Sequence, residues 1–192
     1  MKIFTPAKIN PLLYILGKRE DGFHDTYMHM VPVGLYDILK ISHNKIGRLN
    51  FSMNEANFYI EREENLVVRA IRIFEREIGK NVYLDVKLEK HIPSGAGLGG
   101  GSANAAGMLC ALNYFFRKSS NSQGLLTSKN LFKLALEIGS DVPFFLNPAP
   151  SEIFGRGEKI SKFKYYPKFF VIIIKPSFSI PTSDAYKQCY FS

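Results

Sequence analysis

Residues 95–104 read Gly-Ala-Gly-Leu-Gly-Gly-Gly-Ser-Ala-Asn, which puts five glycines within seven residues. Glycine lets a backbone come close to a ligand and turn successive N–H groups toward it. The small and apolar residues from Ser102 onward predict a helix to about Arg117. Its N-terminus would add roughly half a positive charge and several amides without intrahelical partners. Phosphate is the group such a place accepts. Two familiar phosphate loops do not fit. Gly95-x-Gly97-x-x-Gly100 matches the dinucleotide fingerprint, but no Asp or Glu lies between Glu89 and Glu137 to hold a ribose. No lysine follows Gly100 or Gly101, as a Walker A loop requires.

Two further residues could complete a site for phosphoryl transfer. Asp141, in Gly139-Ser140-Asp141-Val142-Pro143, falls between a helix end and an apolar run. A carboxylate there can take the proton of an attacking hydroxyl or orient that hydroxyl. Lys8, between Ala7 and Ile9, offers a cation that favours an ionised carboxylate and offsets charge on a transferring phosphoryl group. Taken singly, the two read as a turn-forming acid and a surface lysine; the glycine loop is what connects them to chemistry.

These groups need a scaffold, and its elements are legible. Val82 to Glu89 alternates apolar and polar residues, the pattern of a half-buried strand leading into the glycine loop. Asn65 to Gly79 repeats Val67, Ala70, Ile71, Phe74 and Ile78 at helical spacing, with Gly79 placed to end the helix. Leu131, Leu134, Ala135 and Ile138 predict another helix, N-capped by Ser128 and stopped at Gly139. Strands are expected at Ile9 to Leu16, Tyr27 to Val33 and Leu35 to Ser42, with a turn at Asp21-Gly22. Residues 1–150 thus read as one mixed α+β domain that carries the glycine loop, Lys8 and Asp141. After the break Asn147-Pro148-Ala149-Pro150, strands at Ser151 to Phe154, Lys159 to Phe163 and Phe169 to Lys175 would begin a second domain over 151–192.

Composition narrows the class. The 192 residues are 46% hydrophobic and 22% charged, a globular balance that excludes disorder and low-complexity assemblies. A chain of this size buries roughly 70% of its unfolded surface, so Cys110 and Cys189 are expected as free thiols. The first residues reach Lys2 and Pro6 before any apolar run, and the longest apolar stretch, Phe169 to Ile174, is too short to span a bilayer. A cytoplasmic protein without membrane partners is expected. The net charge of +8 suits a polyanionic ligand. The basic run from Arg156 to Lys175 reads as a solvated face, not a nucleic-acid surface. His29, His43 and His91 lack metal-ligand spacing, so no metal site built by the protein is expected.

The glycine loop, together with Pro6-Ala7-Lys8-Ile9-Asn10, Gly17-Lys18-Arg19-Glu20-Asp21-Gly22-Phe23-His24, Asn65-Leu66-Val67-Val68-Arg69-Ala70, Gly139-Ser140-Asp141-Val142-Pro143-Phe144-Phe145 and Gly155-Arg156-Gly157-Glu158, resembles the GHMP kinase superfamily in the family's own order. These segments narrow the resemblance to the branch that phosphorylates the 2-hydroxyl of a diphosphocytidyl methylerythritol in the non-mevalonate isoprenoid route, which implies an ATP-binding catalytic domain over 1–150 and the beginning of an incomplete, substrate-binding α+β domain over 151–192. The resemblance implies the GHMP kinase fold, with an N-terminal domain like domain 2 of ribosomal protein S5. It also implies a small-molecule kinase that uses ATP, with Mg2+ carried on the nucleotide and touched by Ser102.

Lys8 and Asp141 become the catalytic pair by this likeness. Asn65, Lys90, Pro93, Gly95, Gly97, Gly99, Gly100, Gly101, Ser102 and Asn104 surround the nucleotide. Asn10 and Asp141 meet the substrate hydroxyl, His24 reads the cytosine edge, and Phe23 and Tyr186 stack on its two faces. Asn65 serves equally as a helix cap, and Tyr186 equally as a packing residue. The family usually has Tyr where this chain has Phe23, which keeps the ring and loses a hydroxyl. Members also continue well past Ser179-Ile180-Pro181-Thr182, whereas this sequence stops at Ser192, as a fragment or a naturally short form would. The rival readings are another GHMP small-molecule kinase and a catalytically silent nucleotide-binding module. No feature specifies an oligomeric state.

Overall fold

The computed structural model describes residues 1–45, 47–54, 64–119 and 126–176. Its elements run β1 (Lys2–Lys18), β2 (His24–His43), β3 (Asn50–Met53), α1 (Leu66–Ile78), β4 (Leu84–Glu89), α2 (Gly100–Ser119), α3 (Ser128–Ile138), α4 (Val142–Phe145), β5 (Ser151–Gly155) and β6 (Lys159–Lys162). The six strands form one mixed sheet in the order β3-β4-β2-β5-β6, with β1 on the other edge of β2. Only the β3–β4 pair is parallel. The helices pack on one face: Met28, Met30, Leu39, Ile41 and Leu88 from the sheet meet Phe74, Met108, Leu112 and Leu134 in a continuous apolar core. Burying such side chains against each other is the main force holding the two layers together.

The long hairpin β1–β2 positions the site through an irregularity. Pro6 pairs with Tyr36 but Ala7 pairs with Val33, leaving Gly34 and Leu35 without partners. Before that point Thr26, Met28 and Met30 of β2 are buried; after it Asp37, Leu39 and Ile41 are. The inward side has moved from even to odd positions, which a regular strand cannot do. The same shift in β1 takes Thr5 inward and then also buries Lys8, three residues on.

Helix α1 follows the sequence expectation closely. Asn65 caps it, its side chain accepting the Val67 N–H at 2.9 Å, and Gly79 ends it in the left-handed region. Four expectations are corrected. Residues 24–43 form one strand, not two, because the bulge at Gly34 interrupts the pattern without ending the ladder. Helix α2 starts at Gly100, two residues before Ser102, since the Gly99 carbonyl already accepts the Ala103 N–H. The cap of α3 is Thr127, whose hydroxyl accepts from Asn130 N–H; Ser128 is the first helical residue. Phe169 to Lys175 is not a strand: among the described residues, 163–176 pair with no other strand, and Phe170, Ile172 and Ile174 lie exposed. An apolar run forms a strand only where a neighbouring edge accepts its hydrogen bonds.

Strands β5 and β6 do not leave the first sheet. Met28 pairs with Ile153 and Met30 with Ser151, so the sheet continues past residue 150 to Lys162. Cys110 is a free thiol, and Cys189 lies outside the described residues.

Candidate active site

Lys8 is the residue on which the site converges. Its backbone N–H donates to the Leu98 carbonyl at 2.9 Å, tying the middle of the glycine loop to β1. Ala7 closes a small apolar cluster with Ile92 and Leu98, and Ala96 packs against it, so the loop is held by its two non-glycine side chains, Ala96 and Leu98. The Lys8 ammonium donates to Asn10 Oδ1 at 2.5 Å and lies 3.6 Å from Asp141 Oδ2. The Lys8 side chain is 8% exposed and that of Asp141 33%, so the carboxylate faces outward from a buried cation.

Asp141 is fixed from behind. Val142, Phe144 and Phe145 of α4 are buried in the core. Its own side chain caps no helix N–H, which leaves both oxygens available to Lys8 and to an incoming group. The Phe145 ring also reaches the glycine loop. A Cβ on Gly99 would lie 2.9 Å from Phe145 Cζ and 3.0 Å from Lys8 Cγ, and Gly99 has φ +69°. Only glycine fits both the conformation and the space. Asn10 completes this group, its Nδ2 donating to the His29 carbonyl at 3.2 Å.

Beside this group lies a cleft of about 190 Å³. Asn65, Lys90, Pro93, Gly95, Gly100, Gly101 and Asn104 line it, with Met53, Leu66 and Leu88 as its apolar wall. An apolar wall next to glycines and an ammonium is a combination that can take a base at one end and an anion at the other. Ser102 is half-buried on the first turn of α2 and Gly97 is exposed; both lie outside the cleft lining.

One residue went unnoticed in the sequence. Asp37 is fully buried, and four donors converge on it: Lys90 Nζ at 2.5 Å, the N–H groups of His91 and Ile92 at 2.7 and 2.8 Å, and Asn104 Nδ2 at 3.0 Å. The Asn104 Oδ1 in turn accepts from Thr5 Oγ1 at 2.7 Å. Both ends of the Asn104 amide are therefore engaged inward. The signal was present in Asp37-x-Leu39-x-Ile41, an acid in phase with two core residues.

A second group stands at the tip of the β1–β2 hairpin. Arg19 bridges Asp21, Asp25 and, at 3.6 Å, Glu158 in the turn between β5 and β6. The hydrogen bond with Asp21, followed by that with Asp25, holds the Arg19 guanidinium above its ordinary value, and the same Arg19 bond holds Asp21 below the usual carboxylate range. This brace presents Phe23, whose ring carries the Arg156 guanidinium 4.6 Å from its centroid. His24 opens β2 opposite Lys18. Tyr186 lies outside the described residues.

Residues 65–147 match the GHMP kinases N terminal domain. The mixed sheet with its helices and this match give residues 65–147 the fold of a GHMP kinase N-terminal domain. Along nearly its whole length it is similar to proteins named 4-diphosphocytidyl-2-C-methyl-D-erythritol kinase. It is 38% identical to the one from Prochlorococcus marinus subsp. pastoris, over 96% of this chain and 57% of the relative. It is 35% identical to the one from Protochlamydia amoebophila, over 100% of this chain and 64% of the relative. A crystal structure of 4-(cytidine 5'-diphospho)-2C-methyl-D-erythritol kinase superposes with a TM-score of 0.76 at 33% identity, covering 97% of this chain and 63% of that one. The chain thus spans about three fifths of the length of the proteins it matches.

Proposed function

We propose that the protein transfers the γ-phosphate of ATP to the tertiary 2-hydroxyl of 4-diphosphocytidyl-2-C-methyl-D-erythritol. The observation that carries this reading is the 3.6 Å approach of the Lys8 ammonium to the Asp141 carboxylate, at the point where Lys8 N–H holds the glycine loop. In this reading the glycine loop and the first turn of α2 hold the anionic tail of the nucleotide, with Ser102 facing its metal. The residues fit such a tail: a Cβ on Gly100 would fill the space 3.0 Å from Ile92 Cγ2 and 3.1 Å from Lys90 Nζ. Among the described residues no group of three or more His, Cys, Asp or Glu is placed to hold a metal ion. Magnesium is assigned to the nucleotide phosphates, where it would supply charge neutralisation.

Asn10 and Asp141 orient the alcohol. Its oxygen bonds to the γ-phosphorus, the bond from that phosphorus to the ADP oxygen breaks, and the alcohol proton passes to Asp141. Lys8 offsets the charge that gathers on the phosphoryl oxygens. Phe23 and Tyr186 take the two faces of the cytosine, with His24 on its edge. Arg156 occupies one face of Phe23, so the base takes the other face or displaces the guanidinium. The protein is assigned to the cytoplasm. Among the described residues no helix is long and apolar enough to cross a membrane.

The test offers the chain Mg·ATP with the diphosphocytidyl substrate, mevalonate and homoserine in parallel. Phosphorylation of the first in preference to the other two is expected. Equal or faster phosphorylation of mevalonate or homoserine would assign the site to another small-molecule kinase.

A further inference from the structure

We infer that Asp37 is a positioning residue for the nucleotide, acting through Lys90, Asn104 and the strand that enters the glycine loop. This rests on the reading of the cleft as a nucleotide site. Asp37 reaches no cleft surface, being fully buried. Each of its four partners belongs to the cleft or leads to it. Lys90 and Asn104 line the cleft, while His91 and Ile92 are the last residues before Pro93, where the glycine loop begins.

The charge balance argues for this role. A buried carboxylate is retained where donors compensate its lost hydration. Asp37 has an ammonium, a side-chain amide and two backbone N–H groups, with donor distances between 2.5 and 3.0 Å. The two backbone bonds go to one oxygen, Oδ1, and the two side-chain bonds to the other, Oδ2. One oxygen thus sets the direction of the chain entering the loop. The other sets the two side chains of the cleft wall. Lys90 is held from a second side as well, its backbone N–H donating to Asn54 Oδ1 at 2.7 Å.

Thr5 adds an independent handle. Its hydroxyl donates to Asn104 Oδ1 and orients that amide so that Nδ2 faces Asp37. Replacing Thr5 by valine removes this hydrogen bond and the longer one from the same hydroxyl to the Asp37 carbonyl at 3.4 Å, and leaves the bonds of the Asp37 carboxylate to Lys90, His91 and Ile92 in place. Replacing Asp37 by asparagine keeps the shape but leaves the Lys90 ammonium buried without its counter-charge, and it turns one acceptor oxygen into a donor that opposes Asn104 Nδ2.

Full chains of the natural protein, Asp37→Asn and Thr5→Val are titrated with a fluorescent ATP analogue and Mg2+, alongside thermal melts and steady-state kinetics. Asp37→Asn is expected to weaken nucleotide binding by about tenfold or more. Its kcat at saturating ATP should stay within about threefold, as loss of ground-state binding predicts. Thr5→Val is expected to weaken binding by about threefold. A folded Asp37→Asn that binds the analogue within about twofold of the natural protein, with only its melting midpoint lowered, overturns the inference and leaves Asp37 a core residue. Should Asp37→Asn fail to fold, unchanged binding by Thr5→Val overturns it instead. A natural chain that binds the analogue yet phosphorylates none of the three alcohols defeats the proposed reaction and leaves this inference intact. A natural chain that does not bind the analogue defeats both.

Discussion

Gly157 presses against Ser140 so closely that a Cβ at 157 would lie 2.3 Å from the Ser140 carbonyl oxygen. Ser140 directly precedes Asp141, so the turn between β5 and β6 forms the outer wall of the loop that carries the carboxylate. Gly157 has φ +121°, a conformation that side chains other than glycine rarely adopt. The turn is itself held by the Glu158 carboxylate, which accepts the Arg156 N–H at 2.7 Å.

Gly157→Ala is therefore expected to push the Ser140–Asp141 loop away from Lys8. Turnover should fall by about tenfold to a hundredfold, the scale set by misplacement of a reacting group. Affinity for nucleotide should hold, because the cleft beside α2 does not touch this turn. Steady-state kinetics together with nucleotide titration separates the two effects.

Phe74→Ala tests the core that positions everything else. Phe74 is fully buried between the sheet and α2 and lies 5.5 Å from the ring of Phe116. Removing a phenyl ring from such a place costs about 3–5 kcal/mol. Urea unfolding should show that loss as a lower midpoint with an unchanged slope.

Acid should weaken the joint between α1 and α3. Arg76 meets Glu137 with two hydrogen bonds, at 2.8 and 2.7 Å, and this contact holds the Glu137 carboxyl below its ordinary value. Asp21 beside Arg19 and Glu89 beside Lys40 are lowered in the same way. A carboxyl lowered in the folded state stabilises the fold above its unfolded pKa, near about 4.3 for Glu, and loses that contribution as pH falls through the folded value. The melting midpoint should decline as pH drops below about 4.3. Glu137→Gln should remove part of that decline, and added salt should reduce it, since all three pairs face water.

Local chemistry explains which parts were legible in the sequence. Asn65 and Gly79 bound α1 because each satisfies or ends backbone hydrogen bonds by itself. The alternation from Leu84 to Glu89 needs only one buried face. By contrast, the single strand across Gly34 depends on a bulge whose partner, Pro6/Ala7, is about thirty residues away. The fate of Phe169 to Lys175 depends on whether another edge is there to pair with it. Lys8 and Asp141 were legible as residue types, and the glycine loop as a backbone device. Asp37 is in phase with Leu39 and Ile41 and was legible only against the rule that an acid in a strand ordinarily faces solvent.

The central claim is that Asp141, beside Lys8, serves transfer of phosphate and not the holding of nucleotide. Its most direct test follows label from γ-labelled ATP into 4-diphosphocytidyl-2-C-methyl-D-erythritol for the natural chain and for Asp141→Ala, with nucleotide affinity measured on both. Label transfer should fall by about a hundredfold or more in the variant while affinity stays within about twofold. Equal label transfer by both proteins would contradict the account.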